Sequence, residues 1–176
     1  MPDDIIRFFS YDSANDMYIE LLGMIKNDLE VEQLLPRDIM IIDMDTFDYG
    51  DNRLKLSHLK SRINKEATKD TEWDDEVKYP YEFSLHTAGA ANPEDFFRDD
   101  SVVYSSVRRA KGNETFMIYI VNAQKCVNSL QRRSDRNGLF TAITRSKGWV
   151  RVLGYGEDME ILNQEFEEIK NHDFKL

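Results

Sequence analysis

An α/β fold, with a mostly parallel sheet and helices on both faces, is predicted by three features of the sequence. Short runs such as Asp38-Ile-Met-Ile-Ile-Asp43 and Phe116-Met-Ile-Tyr-Ile-Val121 have the unbroken apolar character of strands buried on both sides. Between the runs lie stretches whose apolar residues recur at helical spacing. The two types alternate, which is the pattern of parallel strands joined by helical crossovers. At 176 residues the chain has the size of one domain with a full hydrophobic core, and residues 1–176 are read as one unit.

Taken in order, residues 5–9 (Ile-Ile-Arg-Phe-Phe) read as a short strand. Ser13, with Asp16 three places on, caps a helix whose apolar positions are Ala14, Met17, Tyr18, Leu21, Leu22, Ile25 and Leu29. Leu35-Pro36 ends that pattern, because proline disfavours helix at the residue before it. Residues 38–43 form the next strand, and a second helix is expected around Arg53 to Lys65. Residues 65–78 hold six acids and three lysines, so an acidic surface insertion is expected around 65–80. Tyr81 to His86 reads as a strand, and Asn92-Pro93-Glu94-Asp95 as the capped start of a helical turn. Ser101 to Ser105, Phe116 to Val121 and Trp149 to Leu153 are β-rich runs. A helix from about Asn137 to Ser146 precedes the last of them. A final helix follows Gly156, with Met159, Leu162, Phe166 and Ile169 on one face.

Composition narrows the function classes. With 41% apolar and 32% charged residues, the chain is neither a disordered nor a collagen-like sequence. Its longest apolar run, Phe116 to Val121, is far too short to span a bilayer. The start, Met1-Pro2-Asp3-Asp4, carries no basic or apolar leader. A lone cysteine, Cys126, fits a reducing compartment, so a cytoplasmic location without membrane contact is expected. The net charge of −10 argues against a general nucleic-acid binder. That charge is unevenly spread, since residues 108–151 carry +8 and the remainder −18. One short basic stretch thus meets an anion while the rest keeps the chain soluble.

Two segments inside the basic stretch carry chemistry. Ser106-Val-Arg-Arg-Ala-Lys-Gly-Asn-Glu114 lies between two strands, and Gly112 lets the backbone approach a ligand closely. Glu114 offers acceptors for ribose hydroxyls. Asn137-Gly-Leu-Phe-Thr-Ala-Ile-Thr-Arg-Ser146 is a helix delivering Arg145 near its end. A guanidinium forks onto phosphate oxygens in two parallel hydrogen bonds, which lysine cannot copy.

Together these segments resemble the fifth and sixth motifs of UvrD/Rep-like superfamily 1 helicases, ATP-driven motors that move along DNA or RNA. Ala110-Lys111-Gly112-x-Glu114 matches the fifth motif, and Leu139-Phe140-Thr141-Ala142-Ile143-Thr144-Arg145-Ser146 the sixth. Arg108 stands where the family usually has histidine, and Thr115 separates Glu114 from Phe116 where the family has Glu-Phe adjacent. The resemblance implies a second RecA-like motor domain, a P-loop-type sheet without its own P-loop. It implies that Arg145 is an arginine finger reaching the γ-phosphate of ATP, beside a nucleotide-binding set of Lys111, Gly112, Glu114 and Thr144. It also implies that Ser106, Arg108 and Arg109 face single-stranded DNA or RNA. No Gly-x-x-x-x-Gly-Lys-Ser/Thr occurs in the sequence, so ATP and Mg2+ would be bound mainly by a first motor domain absent here. The family's Asn-Tyr-Arg-like arginine near the start of this domain is missing too, and no Walker B carboxylate is evident. The chain therefore reads as part of a longer helicase, inactive by itself. The alternative is a non-catalytic RecA-like module that binds nucleic acid or a partner protein.

Other candidates have plainer readings. Asp74-Asp75-Glu76 is a solvated charge run, and His58, His86 and His172 lack metal-ligand spacing. Asp43 and Asp45 follow a buried strand at the carboxyl edge where α/β proteins place ligands, and are read as structural. Arg145 is expected at the sheet's ligand edge. Cys126 is read as a passive thiol. Arg132, Arg133 and Arg136 are left between a nucleic-acid phosphate and a neighbouring domain.

Overall fold

Strand order follows from burial. Ile39–Asp43 (β2) is buried at every position, so it lies inside the sheet. A computed structural model describes residues 5–45, 84–87, 96–127 and 132–170. The other strands are Ile6–Tyr11 (β1), Ser84–Thr87 (β3), Ser101–Ser106 (β4), Thr115–Val121 (β5) and Ser146–Tyr155 (β6). Among the described residues they form one six-stranded sheet in the order β1-β6-β5-β2-β4-β3. All five pairings are parallel. This is the predicted α/β architecture, although β3 runs to Thr87, one residue beyond the expected His86, and β6 begins at Ser146, three residues before the expected Trp149.

The helices are Ala14–Glu30 (α1), Val107–Ala110 (α2), Arg132–Ile143 (α3) and Glu157–Lys170 (α4). They divide between the two faces because neighbouring strand residues point to opposite sides. Tyr119 and Val121 of β5 pack with Met17, Leu21 and Ile25 of α1 in one core cluster. Ile118 and Ile120 pack with Leu139 and Ala142 of α3 and with Met159 and Leu162 of α4 in the other. Full burial of such a side chain contributes about 1.5–3 kcal/mol, so two continuous cores stabilise the sheet.

The Ser13 cap forms as predicted, with the Asp16 amide donating to Ser13 Oγ at 3.2 Å and Ser13 Oγ donating to Asp16 Oδ2 at 2.6 Å. The far end differs. α1 stops at Glu30, before Leu35-Pro36, and the chain reverses through Gln33 at φ +58°. Pro36 instead opens a 3-10 turn, Pro36–Asp38, that leads into β2. α3 begins at Arg132, five residues ahead of the expected start, and ends at Ile143, so Arg145 lies in the turn beyond it. On α4, Met159 and Leu162 are buried and Phe166 stacks on Phe8 at 4.2 Å. Ile169, in the last turn of α4, is exposed, a correction to the predicted face. The expected helix at Arg53–Lys65, the insertion around 65–80, the turn at Asn92–Asp95, His58, Asp74–Glu76 and His172 lie outside the described residues.

Two buried tyrosine–carboxylate pairs join distant parts of the chain. Tyr119 donates to Asp28 Oδ2 at 2.5 Å, and Tyr104 donates to Asp43. Burial pushes the Tyr104 and Tyr119 hydroxyls well above their ordinary range, with the neighbouring carboxylates adding to the effect. Burial also raises Asp28, opposed by the Tyr119 hydrogen bond and by the Arg151 charge.

Candidate functional site

In a parallel sheet, residues that precede strands share one edge and residues that follow strands share the other. Glu114 immediately precedes β5 and Arg145 immediately precedes β6, so both lie on the amino edge. Ser106 ends β4 and pairs in register with Asp43 at the end of β2, which puts both on the carboxyl edge. The two motifs are therefore split. Ser106 and the start of α2 lie at one edge, and the Gly112–Glu114 turn and Arg145 at the other. This corrects the expected position of Arg145, which sits opposite the edge where Asp43 ends its strand. The cause is connectivity, since a crossover that leaves a helix must deliver its last residues to the beginning of the next strand.

The link between the edges is short. Residues 107–114 carry the chain from the end of β4 to the start of β5, passing β2, with α2 as their only helical turn. A parallel crossover usually takes a dozen or more residues. Gly112 at φ +91° turns the chain, and the Asn113 amide donates to the Ala110 carbonyl at 3.0 Å. Lys111 caps α2 and is exposed, Arg108 is exposed, and Arg109 is half-buried.

Arg145 is held from several directions. Its amide donates to the Ala142 carbonyl at 3.1 Å, and its own carbonyl accepts from the Thr115 amide at 3.1 Å. Its Nε donates to the Thr141 carbonyl at 3.2 Å, and Nη2 donates to Thr144 Oγ1 at 3.3 Å. Thr144 Oγ1 in turn donates to the Thr141 carbonyl at 2.9 Å. The cation thus satisfies the open carbonyl end of α3, where positive charge is favoured. Nη1 lies 3.7 Å from Glu114 Oε1, with Arg145 19% and Glu114 48% exposed. Thirty-one positions apart in sequence, the two residues meet at the surface. A guanidinium has five N–H donors, so the site retains donor capacity toward an anion.

The predicted site residues fall as follows. Lys111, Gly112, Glu114, Thr144 and Arg145 are brought to the amino edge, while Ser106 is buried at the carboxyl edge, a correction to its expected exposure to a nucleic-acid strand, because it pairs in register with Asp43 inside the sheet. The Thr141 carbonyl is a further element of the site, legible in retrospect because Thr141 lies one helical turn before Arg145. Asp43 is structural, as expected. Its Oδ1 accepts from Asn122 Nδ2 at 2.9 Å and from the Asp45 amide at 2.8 Å. Arg136 is paired within the chain, its Nη2 lying 2.6 Å from Glu165 Oε2 on α4. Cys126 is buried, and burial pushes its thiol up to about 12, which disfavours the reactive thiolate. Among the described residues no three His, Cys, Asp or Glu side chains are grouped to hold a metal ion, and no helix is long and apolar enough to cross a membrane.

Comparison with known proteins gives two findings. Residues 101–153 match the UvrD-like helicase C-terminal domain, the family that the two motifs resemble. The crystal structure of the C-terminal domain of a possible DNA helicase from Lactobacillus plantarum WCFS1 is similar with a TM-score of 0.48 and 16% identity. That match covers 89% of this chain and 77% of the other. No curated protein matches the chain.

Proposed function

We propose that this chain, helicase-like over β4 to β6, is the C-terminal motor domain of an ATP-dependent superfamily 1 DNA or RNA helicase. The observation that carries the reading is the meeting of Glu114 and Arg145, one from each motif, at 3.7 Å on the amino edge. ATP with Mg2+ supplies the phosphoryl chemistry when bound by a first motor domain elsewhere in the parent protein. The residues here suit an anionic nucleotide, with a partly exposed guanidinium, an exposed lysine and a half-exposed carboxylate on one edge. Arg145 moves from Glu114 toward the γ-phosphate and stabilises the charge that develops there. Its release leaves Glu114 free to accept from the ribose hydroxyls. Thr141 and Thr144 keep the guanidinium oriented while it changes partner. Arg108 and Arg109, at the other end of the same crossover, face the single strand, while buried Ser106 ends the strand beneath them. The short crossover then links nucleotide contact at one edge to nucleic-acid contact at the other.

Steady-state turnover of the full protein that carries this chain tests the reading. Arg145→Ala is expected to lower single-strand-stimulated ATP hydrolysis by about 10³-fold or more while nucleic-acid binding persists. The second reading, a non-catalytic module for nucleic acid or a partner protein, draws on the guanidinium being already engaged with Thr141, Thr144 and Glu114. A near-silent Arg145→Ala variant favours that module.

A further inference from the structure

The amino edge carries a row of charges beyond the Arg145–Glu114 pair. Following the strand order β6-β5-β2-β4, the residues at or just before each strand are Arg145, then Glu114 and Thr115, then Arg37, then Asp99. The signs alternate along the row. Thr115 ties its middle together, since its amide donates to the Arg145 carbonyl at 3.1 Å and its Oγ1 to the Arg37 carbonyl at 3.3 Å. Arg145 and Arg37 thus flank one residue, their backbones about two strand spacings or 10 Å apart. At rest Arg37 reaches toward Asp99 before β4, on the side away from Arg145, so meeting the same phosphate chain requires its side chain to turn back toward Thr115.

Beside Lys111, Arg37 adds a further cation to this edge. Arg145 is already matched by Glu114, so the pair adds no net positive charge, whereas a nucleoside triphosphate brings several negative charges. Arg37 Nη1 contacts Asp99 Oδ1 at 2.8 Å, with the arginine 50% and the aspartate 90% exposed. An ion pair that open to water contributes little and exchanges partners readily. The backbone beneath Arg37 is well fixed. Pro36 sets the first position of its 3-10 turn, Asp38 Oδ2 accepts from the Leu35 amide at 3.2 Å, and β2 begins at the next residue but one.

We infer that Arg37 is a second phosphate-binding residue of the nucleotide site, exchanging Asp99 for the phosphate chain when nucleotide enters the amino edge. This rests on the nucleotide reading of the same edge. The arrangement is one guanidinium on each side of Thr115, each held at rest by a carboxylate.

The test uses the full protein that carries this chain, with ATP and inorganic tripolyphosphate as probes in equilibrium binding without Mg2+. Arg37→Ala is expected to weaken both probes by about tenfold, the scale of one lost hydrogen bond to a charged group. Its melting temperature should be unchanged, because the side chain is half-exposed. Asp99→Asn is expected to bind ATP at least as tightly as the parent, and weaker binding there overturns the exchange of partners. Arg145→Ala, followed by turnover, separates the two claims. If Arg37→Ala binds both probes within twofold of the parent while Arg145→Ala abolishes turnover, Arg37 is not a phosphate ligand and the nucleotide reading stands. If neither variant differs from the parent, both claims fail together.

Discussion

Gly112→Ala isolates the turn that carries Glu114 to Arg145. Gly112 has φ +91°, and a Cβ built there meets nothing within 4 Å. The variant therefore creates no clash, and its whole cost is the strain of an L-residue held at positive φ. That strain is worth about 1–2 kcal/mol. For a domain of this size it lowers the melting temperature by about 3–6 °C. Gly154→Ala is the contrasting control, because its Cβ would lie 2.5 Å from Met159 Sδ and 2.7 Å from Gln124 Oε1 without any unusual φ. Overpacking of that kind costs about 1–3 kcal/mol and is relieved by truncating Met159 and Gln124 together, whereas the strain at Gly112 is not. Thermal unfolding by circular dichroism reads both variants, and the ATP KM of the full protein reads the displacement of Glu114. An unchanged melting temperature for Gly112→Ala would mean that the turn does not hold positive φ, and the placement of Glu114 beside Arg145 would fall with it.

Further outcomes are expected. Tyr119→Phe leaves the buried Asp28 carboxylate without its 2.5 Å donor and should cost about 2 kcal/mol near neutral pH. Because burial raises Asp28 in the folded state, its contribution is fully present below the unfolded carboxylate value of about 3.9 and is lost as pH rises through the folded value. The Tyr119 hydrogen bond opposes that rise by favouring the ionised carboxylate, so the Tyr119→Phe defect should shrink in acid as Asp28 is protonated, and denaturation at two pH values checks the sign. Cys126, with its thiol pushed up to about 12, should resist alkylation at pH 8 until the protein unfolds, as a thiol-reagent time course would show. The isolated chain is expected to show no ATPase above background, and its weak binding to single strands should collapse with added salt. A robust magnesium-dependent rate from it contradicts the two-domain reading.

Much of the fold was legible because each element announces itself locally. The Ser13–Asp16 cap and the apolar residues of β2 and β5 are short-range signals, and all three appear where expected. The start of α3 was not legible, since Arg132 to Asn137 is polar and shows no apolar stripe until Leu139 and Ala142. The end of α1 was misplaced because a left-handed residue at Gln33, an uncommon choice for that conformation, reverses the chain before Pro36 acts. Both buried carboxylates needed three dimensions. Asp28 finds Tyr119 across 91 positions and Asp43 finds Tyr104 across 61, which no spacing rule anticipates. At the site, motif spacing brought out Glu114 and Arg145, but the edge they occupy depends on strand direction. Arg37 carries no motif and enters only through the strand order beside Thr115.

What Arg145 touches when nucleotide is present decides whether the amino edge is a nucleotide site. A crystal structure of the full protein with a non-hydrolysable ATP analogue measures this directly. The expected result is Arg145 Nη1 or Nη2 about 3 Å from a γ-phosphate oxygen, parted from Glu114, with Glu114 on the ribose. A nucleotide seated away from the amino edge, with Arg145 still on Thr141 and Glu114, contradicts it.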